Sequence, residues 1–135
     1  MALFIWNDSY SVNIKTIDDQ HKVLIGLIND LHDSMKVGKS KEVLGPILDE
    51  LVNYTVYHFG HEERLFSSNG YPDSSTHKAT HAKLIQQVKD IKNDFDSGKT
   101  VLSMEVMSFL KDWLGNHIMG TDKKYTSFLN GKGIY

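Results

Sequence analysis

Seven side chains in this sequence have the chemistry of metal ligands: His21, His58, Glu62, His77, His81, His117 and Asp122. In "YHFGHEERLF", His58 and Glu62 stand four apart, and in "THKATH" His77 and His81 do the same. On a helix each such pair projects from one face, about 6 Å apart along the axis. Imidazole suits iron, copper, zinc or nickel, and carboxylates that bridge favour a pair of iron ions. Two other metal chemistries lack their motifs. A zinc peptidase wants H-E-x-x-H, but Lys78 stands where the glutamate base belongs. A ferritin-like oxidase wants Glu-x-x-His, a spacing found nowhere in the chain.

Bringing these groups together falls to four amphipathic stripes with apolar residues at intervals of three and four. The first runs His21, Leu24, Ile28, Leu31, Met35, with Asp18 or Asp19 as N-cap. The second runs Leu44, Ile47, Leu51, Tyr54, His58, Leu65, and Pro46 leaves its start open, because proline belongs in a first turn. The third runs His77, His81, Leu84, Val88, Ile91, Phe95; the fourth runs Val106, Phe109 or Leu110, Trp113, His117. The expected helices cover roughly 18–37, 41–66, 74–97 and 103–120, after an irregular N-terminal arm (1–17, with Phe4 and Trp6) and before a C-terminal tail from about 128. Short connections make neighbours antiparallel, so the expected fold is all-α, an up-down-up-down four-helix bundle in one domain, 1–135.

In that bundle the five stripe histidines lie at helix ends that coincide, so they form one layer with Glu62 and, near it, Asp122. A lone stripe histidine is usually a hydrogen-bonded core residue, but seven clustered polar groups are a different matter. Each left unpaired costs roughly 1–3 kcal/mol, a total of about 7–20 kcal/mol that rivals the stability of a domain this size. A bound metal removes that cost. The remaining polar residues read as ordinary: His32 and His61 at the surface or boundary, Glu63 and Arg64 solvated, Tyr54 and Trp113 as core aromatics.

Composition narrows the function classes. The net charge of −2 with scattered basic residues points to neither nucleic acid nor an acidic membrane. The absence of cysteine excludes disulfides and thiolate sites. No apolar run approaches the ~20 residues of a membrane span and the start is not leader-like, so the expected location is the cytoplasm.

The segments "IDDQHKVL", "YHFGHEE", "GYPDSSTHKATH" and "WLGNHIMGTDKKY" together resemble the hemerythrins, in particular the single-domain bacteriohemerythrins, from Trp6 to about Phe128. The resemblance implies one iron held by His77, His81 and His117, the other by His21 and His58, and both bridged by Glu62, Asp122 and an oxo or hydroxo group. The second iron then has one position open for O2. Leu114, three residues before His117, is implied to lie over that position, with Phe59, Trp113 and Ile118 beside it. The alternative for Leu114 is plain core packing. Reversible O2 storage or delivery follows, with an O2-consuming enzyme as recipient. A sensor module and a di-iron enzyme acting on peroxide or nitric oxide are the rivals, disfavoured by the lack of an output domain and of a further general acid. Asn13 stands where a small residue such as glycine is expected. Finally, His117 and Asp122 are five apart, about 140° around an ideal helix, so both can face one centre only through a π-type turn, which Gly120 permits.

Overall fold

Alternating intervals of three and four make helix α1 (Lys15–Lys36), whose buried face carries Ile17, His21, Leu24, Ile28 and Leu31. It begins ahead of Asp18 and Asp19, so neither acid caps it; Ile14 is the N-cap and gives no side-chain hydrogen bond. Asp18 instead turns its carboxylate back on the arm, accepting from the Val12 amide at 2.8 Å and the Ser11 hydroxyl at 2.6 Å. Helix α2 (Lys41–Asn69) starts before Pro46 and outruns the expected end at 66. Pro46 leaves the Glu42 carbonyl without its helical partner, a tolerable loss because both residues face water. Gly70, in the left-handed region at φ 70°, closes α2, a conformation that costs glycine nothing. Helices α3 (Ser74–Asp96) and α4 (Met104–Asn116) follow.

The structure, a computed structural model, describes residues 3–99 and 102–135; Met1 and Ala2 of the expected arm lie outside these. Helix α1 packs against α2 and α4, and α2 against α3, giving an all-α four-helix bundle with no strand among the described residues. Of the two candidates in the fourth stripe, Leu110 is the core residue and Phe109 lies exposed.

Beyond α4 the chain is not a tail. A π-helix (His117–Thr121) and a 3-10 turn (Asp122–Tyr125) lead into a short helix, α5 (Thr126–Gly131), which buries Leu129. Two apolar clusters result. The larger fills the bundle and includes Phe4 from the arm, Leu24, Ile28, Leu48, Leu51, Met107, Leu110, Leu114 and Ile118. The smaller joins Val12, Ile14 and Ile17 to Phe66, Tyr71, Tyr125 and Leu129, plugging the bundle's end. The plug is tied polar to polar: Thr126 Oγ1 donates to the Val12 carbonyl at 2.9 Å, and the Asn13 and Asn130 side chains pair at 2.9 Å. Asn13 adopts φ 57°, the left-handed conformation that a glycine would take without strain. The arm and tail, unpatterned in sequence, are therefore packed parts of the fold.

Candidate metal centre

His21 near the start of α1, His58 and Glu62 toward the end of α2, His77 and His81 at the start of α3, and His117 just past α4 all bury their side chains. Consecutive helices must alternate in direction for these ends to meet. Asp122 joins them through the π-helix, whose defining bond runs from the Asp122 amide to the His117 carbonyl. The wider turn absorbs one extra residue, which brings a side chain five positions on back to the same face. Asp122 is fully buried as a result.

All five imidazoles present Nε2 to the two carboxylates. Asp122 lies 3.0 Å from His21, 3.0 Å from His77 and 2.9 Å from His117; Glu62 lies 3.3 Å from His58 and 3.3 Å from His81. Proximity here is not hydrogen bonding. His77 Nε2 is aligned with Asp122 Oδ1, but Nε2 of His21, His58, His81 and His117, with Glu62 Oε1 and Asp122 Oδ2, are buried without a hydrogen-bond partner. Natural proteins rarely leave one such group orphaned, let alone six in contact. The donor set resolves into two groups whose ligating atoms lie within 4.8 Å of one another: His77, His81 and His117 with Glu62 and Asp122, and His21 and His58 with the same two carboxylates. The residues fit a pair of cations that share Glu62 and Asp122.

Electrostatics favours carboxylates that stay ionised. Burial alone pushes Glu62 and Asp122 up, but the imidazoles beside them, His58 and His81 for Glu62 and His117, His21 and His77 for Asp122, hold both below the ordinary carboxylate range. Burial lowers His58, keeping it neutral with a lone pair to donate; on His117 burial is outweighed by Asp122 and the value rises. Tyr125 is raised well above the usual phenol, by burial first and then by Glu62 and Asp122, so it stays protonated. Its hydroxyl donates to Glu62 Oε2 at 2.5 Å.

Three polar contacts escaped the sequence reading. Tyr125 holds Glu62 from the far side; its position three residues after Asp122 was the available signal. Gln20 Oε1 accepts from His58 Nδ1 at 2.6 Å. Glu63, expected to be solvated, accepts from His81 Nδ1 at 3.0 Å. His32, expected near the surface, is buried, with Asp33 at 3.6 Å, and takes no part in the centre. His61 is half-buried and also stands apart.

Of the apolar candidates, Phe59 stacks on His81 with ring centroids 3.8 Å apart and also lies against His58 and His117. Leu114 and Ile118 are buried in the larger cluster. Trp113 donates its indole N–H to the Leu84 carbonyl at 3.2 Å and lines a groove between α3 and α4 with Leu84 and His117.

Known proteins resemble this chain over nearly its whole length. The family model for the hemerythrin HHE cation binding domain matches residues 12–129. A bacteriohemerythrin of Methylococcus capsulatus is 38% identical over 126 residues, spanning 93% of this chain and 95% of the relative. A hemerythrin-like protein of Naegleria gruberi is also 38% identical over 126 residues, spanning 93% of each. A crystal structure of wild-type hemerythrin superposes with a TM-score of 0.89 at 36% identity, over 95% of this chain and 98% of that one.

Proposed function

The chain belongs to the hemerythrin family, and on that premise we propose that it binds O2 reversibly at a non-haem di-iron centre, as a storage or delivery protein rather than an enzyme. The observation that carries the reading is the pair of ligand groups sharing Glu62 and Asp122, with their facing ring nitrogens otherwise orphaned. His77, His81 and His117 would hold one iron, His21 and His58 the other, and the two carboxylates would serve both. The ferrous pair, when bound, would supply the electrons for reversible O2 binding.

The protein's own groups have distinct tasks. Gln20 and Glu63 accept from Nδ1 of His58 and His81, which fixes the tautomer and leaves each Nε2 lone pair facing inward. Tyr125 keeps Glu62 from rotating away. Five imidazoles and only two carboxylates make a centre with little negative charge, suited to holding O2 rather than splitting it. The test is the visible spectrum of reduced, anaerobic protein. Admitting air should produce a new band that argon purging removes; no change in air ends the proposal.

Leu114, Ile118, Phe59 and Trp113 would keep water and protons from the O2 position. If Leu114 is such a lid, Leu114→Ala should shorten the lifetime of the O2-loaded protein several-fold at a temperature where the fold persists. Plain packing predicts a different outcome: stability falls by roughly 2–5 kcal/mol while that lifetime holds. Stopped-flow decay alongside thermal unfolding separates the two.

A further inference from the structure

The Nδ1 sides of the histidines are not alike, and their ligand roles do not require the difference. Behind His81 stands the Glu63 carboxylate at 3.0 Å; behind His58 stands the neutral Gln20 amide oxygen at 2.6 Å. Nδ1 of His21 and of His117 is buried with no partner. Glu63 follows Glu62 directly, about 100° further around α2. One residue therefore faces the centre while the next reaches across the α2–α3 seam to the back of the same imidazole, whose Nε2 lies 3.3 Å from Glu62. Phe59, one turn earlier on α2, stacks flat on that ring with 3° between planes. The His81 ring is thus held on its face and at its outer nitrogen by one helix, which leaves its inner nitrogen facing the centre.

A carboxylate acceptor does more than orient. It draws the Nδ1 proton, gives the ring imidazolate character, and strengthens Nε2 as a donor to a cation of higher charge. A neutral amide does this only weakly. We propose that Glu63 is a positioning residue that makes the His77, His81 and His117 end of the centre prefer ferric iron more strongly than the His21 and His58 end. The proposal rests on the di-iron reading. Its consequence is an ordered centre, in which the iron away from the O2 position gives up its electron first. Glu63 is 30% exposed, so water screens part of its charge, but the hydrogen bond to a buried ring is retained. The ends also differ in histidine number, so the contribution of Glu63 must be read from variants with the ligand set intact.

Parent, Glu63→Gln and Gln20→Glu proteins, loaded anaerobically with Fe2+, would be titrated with ferricyanide, each ferrous ion passing one electron to one ferricyanide. The half-oxidised chain is followed by its electron paramagnetic resonance. Glu63→Gln removes the charge and keeps the shape; the potential of the first step should rise by about 59 mV or more, the equivalent of a tenfold loss of ferric preference, with the second step in place. Gln20→Glu should lower the second step and bring the two together. A first step unmoved by Glu63→Gln in protein holding two irons, or both steps moving equally, overturns the proposal. If Glu63→Gln does not fold, Gln20→Glu decides alone: a lowered second step supports the proposal and an unmoved one overturns it. A parent that takes up fewer than two irons overturns the di-iron reading itself, and is seen before any variant is made.

Discussion

Metal-free protein should melt about 10 °C or more below the iron-loaded form. The centre places six unpartnered polar atoms in a buried layer between two apolar clusters, so the empty fold bears a cost that cation binding removes. Only the folded chain brings these groups together, drawn as they are from α1, α2, α3 and the segment after α4. Free iron at a thousand times its dissociation constant therefore stabilises by about 4 kcal/mol. At roughly 3 °C per kcal/mol for a chain of this size, that is about 12 °C. Calorimetry of both forms at one pH is the measurement. Equal melting temperatures would mean that the layer is wetted or binds no cation tightly.

The convergence of these side chains was legible because each histidine sits on a stripe, and a stripe fixes its face. Even Asp122, off register by helical arithmetic, announced the π-helix that carries it. What escaped depended on neighbours. Glu63 looks solvated on α2 alone, because the residue after an inward-facing one points sideways. In a bundle sideways is where the next helix lies, and His81 is there. Asp18 and Asp19 both read as caps, because acids before an apolar stripe commonly are, but Ile14 holds that position. Asp18 instead binds an arm whose course no periodicity marks. The plug formed by Val12, Ile14, Tyr125 and Leu129 was illegible for the same reason: its partners lie more than a hundred residues apart in the chain.

Glu62→Ala should strip the protein of both irons, not one. His81 belongs to one of the two candidate ligand groups, whereas Glu62 belongs to both. Its loss removes a donor from each cation and also the charge that offsets their mutual repulsion. The parent should bind two irons per chain with cooperative loading, and the variant less than half an iron. Glu62→Gln, which keeps volume and can still accept from Tyr125, should fail nearly as badly, because an amide neither neutralises nor bridges as a carboxylate does. Circular dichroism must show both variants folded, since Glu62→Ala also leaves the buried Tyr125 hydroxyl without an acceptor. Iron analysis after gel filtration reads the result. One tightly held iron in the variant would show that the two sites do not share Glu62, and one zinc per chain in the parent would exclude a di-iron centre altogether.

The π-helix at His117–Thr121 also makes this segment a fixed ruler. Were the same residues wound as an ordinary α-helix, everything downstream would swing by about 100°. Asp122 would leave the imidazoles, Tyr125 would leave Glu62, and Leu129 would leave the plug, three losses from one tightened turn. The exposed 37–40 turn between α1 and α2 bears no such load and should absorb insertions freely. Natural variation in length should therefore collect at 37–40, and added residues should be absent from 117–121.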